Sequence, residues 1–137
     1  MMDVQTRVTE SAIMESRKKV VLVIEDEDDL RQEISQYLQR HGYEVVDCAC
    51  ARAGRERLQA WIAAGETPYA VLCDETLPDG SGIQIFLDLA AETASRWILM
   101  SGAHDEEGQL AKAAKRSGSY SVLEKPFSLK ALKASLA

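Results

Sequence analysis

Val20-Val21-Leu22-Val23-Ile24, followed at once by Glu25-Asp26-Glu27-Asp28-Asp29, is the stretch whose reading decides the fold. A continuous run of β-branched residues and Leu fits a strand covered on both faces, since a strand with one wet face would alternate. The acids end it abruptly. Downstream, Leu30, Ile34, Tyr37 and Leu38 form one stripe of an amphipathic helix, with Asp28 or Asp29 expected as its cap and Gly42 as its stop. Tyr43 to Cys48 reads as a second strand. Ala51 to Ala64 reads as a helix with Leu58, Trp61 and Ile62 inward, ended by Gly65. Pro68 introduces a third strand, Tyr69 to Cys73, and a turn from Pro78 to Gly82 leads into a helix carrying Ile83, Phe86, Leu87 and Ala90 inward.

Trp97 to Met100 is the fourth strand, Glu106 to Arg116 an alanine-rich helix, and Ser121 to Glu124 a fifth strand. Ser128 caps a last helix with Leu129, Leu132 and Leu136 inward. Strand and helix alternate five times. Strands that read as apolar blocks, joined by helical crossovers, imply a single-domain, doubly wound α/β fold with a parallel sheet covered on both faces. Residues 1–19 carry few apolar residues and no period, and read as a flexible N-terminal extension to a domain spanning 20–137.

Bulk properties agree. At 137 residues one domain is expected, and 46% hydrophobic with 28% charged residues is ordinary globular usage. Sixteen basic against 22 acidic residues give a net charge of −6, which argues against holding nucleic acid directly, because phosphate binding needs a clustered basic face. The longest apolar runs are five residues, far short of the roughly 18 of a membrane span, and no signal-peptide core is visible; the chain reads as cytoplasmic. Cys48, Cys50 and Cys73 are odd in number and lack a zinc pattern, so they read as buried free thiols, and the one-residue gap in Cys48-Ala49-Cys50 is not the usual redox spacing.

In such a sheet, ligands sit beyond the carboxyl ends of the strands. There the chain places Glu25 and Asp26 after strand one, Asp74 after strand three, Ser101 after strand four and Lys125 after strand five. Carboxylates about 5 Å apart repel by roughly 3 kcal/mol per pair at an effective dielectric near 20. A hard divalent cation relieves that, and a site of carboxylates, carbonyls and waters suits Mg²⁺. A carboxylate beside a cation and an ammonium is also a nucleophile with a prepared seat for a phosphoryl group.

The chain closely resembles the receiver domain of bacterial two-component response regulators. The resemblance rests on Val21-Leu22-Val23-Ile24-Glu25-Asp26-Glu27, on Asp74-Glu75-Thr76-Leu77-Pro78-Asp79-Gly80-Ser81-Gly82, on Leu99-Met100-Ser101-Gly102 and on Leu123-Glu124-Lys125-Pro126-Phe127. It implies a flavodoxin-like sheet of order 2-1-3-4-5. It also implies Asp74 as acceptor of a phosphoryl group from a histidine kinase or histidine phosphotransfer protein. Asp26, Asp74 and the Thr76 carbonyl would ligate Mg²⁺ directly, and Glu25 would act through a water. Lys125 would pair with the phosphoryl oxygens, across a cis bond to Pro126, and Ser101 would be the hydroxyl switch, with small neighbours Gly102 and Ala103. Thr76 lies where side-chain identity is expected to tune hydrolysis of the acyl phosphate.

One position departs from the family: the usual switch aromatic is replaced by Val122, and Tyr120 is not its equivalent. The implied downstream partner is a protein or output domain met through the face made by the helix 106–116, the last strand and the last helix, with a phosphorylation-dependent dimer as a further form. With a short last helix at the end of the sequence, the expectation is a stand-alone regulator or a receiver cut from a hybrid kinase or larger regulator. Such a protein is a signalling domain rather than an enzyme acting on a separate substrate. The competing reading is a haloacid-dehalogenase-type phosphatase, which wants a second Asp where Thr76 stands. A flavodoxin-like carrier would need a phosphate loop in place of the five acids, and no G-x-x-x-x-G-K-[ST] occurs.

Overall fold

The computed structural model describes residues 19–102 and 120–137. The strands are β1 (Val20–Ile24), β2 (Glu44–Cys48), β3 (Ala70–Asp74), β4 (Arg96–Ser101) and β5 (Ser121–Glu124). The helices are α1 (Asp28–Arg40), α2 (Ala51–Ala63), α3 (Gly82–Leu89) and α4 (Leu129–Ser135). The five strands are all parallel, in the order β2-β1-β3-β4-β5. This is the implied 2-1-3-4-5 order. The helix expected over 106–116 and most of the extension expected over 1–19 lie outside the described residues, as does Ala103.

Strand alternation sorts the core into two layers. Val21, Val23, Leu72, Ile98 and Met100 face Ile34 and Leu38 of α1 and Leu132 of α4. Leu22, Ile24, Val71, Cys73 and Leu99 face Leu58 of α2 and Phe86 of α3. Both faces of β1 and β3 are therefore closed, which explains their unbroken apolar sequence. The two edge strands differ: β2 is half-exposed, and in β5 Ser121, Val122 and Glu124 are exposed. The apolar-block reading holds for the three central strands.

Several local expectations shift by a residue or two. Asp28 and Asp29 lie inside the first turn of α1, and Glu27 takes the cap position without a side-chain bond. The two aspartates still meet the positive end of the helix dipole. Gly42 and Gly65 follow the C-caps of α1 and α2 with φ of 92° and 73°, the left-handed conformation that ends a helix. The segment before α3 is a small antiparallel ribbon, Thr76–Leu77 against Gly80–Ser81, and Gly82 is already helical, capped by Ser81. Ile85 and Leu89 are buried in α3, whereas Leu87 and Ala90 are only half-buried, because a short helix wedged between β4 and α2 buries more than one stripe. Cys73 is buried, but Cys48 and Cys50 are half-buried. Burial pushes the Cys73 thiol well above the usual range, and nearby carboxylates of Asp74 and Glu25 push the same way. It is an inert core group.

Candidate functional site

Strand register brings the site together. Ile24 pairs with Cys73, so Glu25 falls beside Asp74. Asp74 pairs with Met100, so Glu75 falls beside Ser101. Ser101 pairs with Glu124, so Lys125 is the next residue on that edge. Asp74 and Ser101 are the last residues of β3 and β4, one residue further inside the strands than the apolar runs suggest, because main-chain pairing continues past the last apolar side chain. All four strand ends that carry candidate residues thus open on one edge.

Carboxylate oxygens of Glu25, Asp26 and Asp74 lie within 4.8 Å of one another, with Glu25 and Asp74 buried and Asp26 exposed. The Lys125 ammonium donates to Glu25 Oε1 at 2.7 Å and to Asp74 Oδ2 at 2.9 Å. Glu25 Oε2 accepts the Glu27 N–H at 3.0 Å, so both oxygens of this carboxylate, 0% exposed, are engaged. Burial raises the Glu25 pKa above the ordinary range, against the pull of Lys125 and of the Glu27 N–H. Burial also lowers that of Lys125, but its hydrogen bonds to Glu25 and Asp74 outweigh this and leave it raised. The lysine is therefore charged at neutral pH. Its contribution to stability is complete below the ordinary lysine pKa of about 10.4 and fades only as pH rises through the higher folded value.

Three carboxyl groups thus face a single ammonium in this pocket. The donor set, all oxygen, is that of a hard ion. Asp26 and the ammonium share the same acidic pocket, so a divalent cation held there would compete with Lys125 for the carboxylates. Lys125→Met is expected to tighten divalent-cation binding by about tenfold, read by calorimetric titration. In a chelator it should cost about 1–3 kcal/mol in urea unfolding, less than the ~3–5 of a fully buried pair because the lysine is partly exposed. Weaker cation binding in the variant would show that the ammonium supports the ion rather than competing with it.

Around this centre stand residues that the sequence reading did not single out. Arg31 donates to the Glu25 carbonyl at 2.9 Å and to Asp28 at 2.7 Å, tying the first turn of α1 to the end of β1. The Asp79 carboxylate accepts the N–H groups of Ala51 at 2.7 Å and Arg52 at 3.0 Å. It thus caps α2, whose own N-cap Cys50 makes no side-chain capping bond, and these N–H groups hold its pKa low. Glu75 Oε2 accepts the Ser101 hydroxyl at 2.7 Å. Spacing along the chain holds no signal for the Asp79 and Glu75 pairs, which join residues 26 to 28 apart.

Thr76 is exposed, and its N–H reaches Asp74 Oδ1 at 3.4 Å. The Lys125–Pro126 bond is cis. Among the described residues, a Cβ at Gly102 would meet nothing within 4 Å. A cleft of about 470 Å³ adjoins Lys125, between Leu30 and Glu33 of α1 and Phe127. Val122 is 40% exposed on β5. Tyr120 instead packs edge-on against Phe86, with ring centroids 5.1 Å apart, as part of the core on the α3 side.

A five-stranded, doubly wound parallel sheet with an acid-and-lysine pocket at its carboxyl edge defines the class: a phosphoacceptor signalling domain. The response regulator receiver domain profile matches residues 21–137, and the chain belongs to that family. It is 31% identical over 116 residues to the KDP operon transcriptional regulatory protein KdpE of Escherichia coli (strain K12), covering 85% of this chain and 48% of that protein. It is 31% identical over 115 residues to the transcriptional activator protein PfeR of Pseudomonas aeruginosa, covering 83% of this chain and 35% of that one. The chain thus spans about half or less of the curated relatives it matches. Among solved structures, a response regulator receiver domain protein from Clostridium thermocellum superposes with a TM-score of 0.72 at 23% identity, covering 86% of this chain and 90% of that one. A CheY-like receiver domain protein from Methanospirillum hungatei JF-1 gives 0.73 at 22%, covering 85% and 89%. These two show the shared fold. The phosphatase reading finds no support among these relatives. Among the described residues no helix is long and apolar enough to cross a membrane.

Proposed function

We propose that Asp74 accepts a phosphoryl group from the phosphohistidine of a histidine kinase or histidine phosphotransfer protein, in a Mg²⁺-dependent step, and that the modified chain controls a partner or output domain. The contact that carries this reading is the ammonium of Lys125, 2.9 Å from Asp74 Oδ2, inside a pocket where carboxylate oxygens of three acids lie within 4.8 Å of one another. A carboxylate oxygen of Asp74 forms the new P–O bond as the P–N bond breaks, and the imidazole leaves with the electron pair. Lys125 turns its donors from the carboxylates to the phosphoryl oxygens, and the Ser101 hydroxyl donates to another. When bound, Mg²⁺ neutralises charge developing on those oxygens.

Asp26, Asp74 and the Thr76 carbonyl would hold the ion directly. Glu25, with both oxygens already engaged, fits an indirect role through water. The exposed Thr76 side chain borders the phosphoryl position and would set access of hydrolytic water. Phosphorylation adds about −1.5 to −2 of charge, and its differential contacts bias a pre-existing active conformation.

Downstream signalling leaves through the face that carries β5 and α4. There Val122 offers no ring to turn between inward and outward rotamers, so the output differs from that of relatives with an aromatic at this place. KdpE and PfeR are named as transcriptional regulators, and a DNA-binding output reached indirectly, through a further domain or a partner, is the matching proposal for this chain. The protein works in the cytoplasm, as a signalling domain that catalyses its own modification and slow dephosphorylation, with residues 20–137 as the working unit.

Incubation with a small acyl phosphate and Mg²⁺ should add one phosphoryl group, seen by intact-mass spectrometry, and a chelator should prevent it. Asp26→Asn should weaken Mg²⁺ affinity by more than about tenfold, the least that loss of even an outer-shell partner costs a metal site. Unchanged affinity in a calorimetric titration would remove Asp26 from the ligand set.

A further inference from the structure

We infer that Glu75 is a positioning residue that latches the switch hydroxyl of Ser101 away from Asp74, so that phosphorylation has to break a built-in hydrogen bond before the switch can turn. This rests on the reading of Asp74 as phosphoacceptor. Ser101 Oγ lies 2.7 Å from Glu75 Oε2, within the range of an O–H donating to an ionised carboxylate, and 3.0 Å from the Gly102 carbonyl. The hydroxyl carries one proton. While it serves Glu75, it cannot serve a phosphoryl group on Asp74.

The main chain fixes the geometry of this contact. The Glu75 N–H donates to the Met100 carbonyl at 2.8 Å, and the Lys125 N–H donates to the Ser101 carbonyl at 2.7 Å. The main chains of Glu75 and of Ser101 are therefore pinned in the sheet, and redirecting the hydroxyl needs rotation about the Ser101 side chain rather than movement of β4. Ser101 is 3% exposed, so water cannot readily replace the lost partner, whereas Glu75 is half-exposed and is resolvated once released. The latch thus opens at little cost to Glu75, yet holds the hydroxyl in the unmodified chain. Its consequence is a lower population of the switched state before phosphorylation and a higher demand on the phosphoryl group to reach it.

Beryllofluoride with Mg²⁺, a tetrahedral stand-in for a phosphoryl group on a carboxylate, tests this without turnover. Its affinity is read by ¹⁹F NMR titration of the full chain. Glu75→Ala is expected to tighten binding about tenfold, and Glu75→Gln, which keeps an acceptor but loses the charge, by less. In the Ser101→Ala background, binding should be weaker and Glu75→Ala should no longer change it. An equal gain with and without the hydroxyl would mean simple charge repulsion, and no gain in either variant would mean an idle contact; both outcomes overturn the latch. Absence of binding to the unsubstituted chain would instead overturn the assignment of Asp74 itself.

Discussion

Asp74→Asn is expected to abolish phosphoryl addition from an acyl phosphate while leaving a folded domain. An amide oxygen is no substitute for a carboxylate nucleophile, because the charge it would bring to phosphorus is missing. The fold should survive because asparagine is nearly isosteric and its oxygen can still accept from Lys125, which sits 2.9 Å from Oδ2. Removing one of three carboxylates within 4.8 Å also relieves repulsion that the cation-free site carries. The thermal midpoint in chelator should accordingly hold or rise, while the gain from added Mg²⁺ shrinks. Intact-mass spectrometry decides the first part and thermal unfolding with and without Mg²⁺ the second. Labelling of the variant equal to that of the parent would move the modification elsewhere.

Gly82→Ala should be the most damaging single-methyl change near the site. A Cβ at Gly82 would lie 2.0 Å from the Asp74 carbonyl oxygen and 2.7 Å from Cys73 Sγ. Neither can yield easily: the first is main chain of the central strand β3, and the second is a thiol at 0% exposure. Either α3 retreats from the sheet or the end of β3 distorts, and the Gly82 N–H bond to the Glu75 carbonyl at 2.9 Å goes with it. Overpacking typically costs ~1–3 kcal/mol, and a backbone collision of this depth belongs at or beyond the top of that range. For a chain of this length about 3 kcal/mol corresponds to a fall of roughly 10 °C in thermal midpoint. Where the end of β3 is what distorts, Asp74 moves with it, and phosphorylation should slow even at temperatures where the variant is folded. A midpoint within about 2 °C of the parent would show that the helix can shift freely. A Cβ at Gly54 would instead meet only side-chain atoms, with the end of Ile24 at 2.3 Å, rather than main chain.

The site was legible to the extent that chemistry sits at predictable places on a parallel sheet. Glu25, Asp26, Asp74, Ser101 and Lys125 each follow or close an apolar block, and register then delivers them to one edge. Glu75 and Asp79 were not legible, since a solvated acid in a turn and one that caps a helix some 28 residues away read alike in one dimension. Likewise Ile85 and Leu89 escaped a helical stripe drawn through Ile83 and Phe86, because α3 is enclosed by its neighbours on more than one side.

Alternation of apolar blocks with amphipathic stretches dictates a layered α/β chain, because main-chain hydrogen bonding and burial leave few other ways to cover such strands. The acidic turn after β1, Asp74 and Lys125 are likewise written in residue order. Which acid holds Lys125, which one holds the Ser101 hydroxyl and how close α3 comes to Asp74 emerge only when β1, β3, β4 and β5 lie side by side. These contacts depend on distances of a few ångströms between segments far apart in the chain, and no local pattern of amino acids encodes such distances.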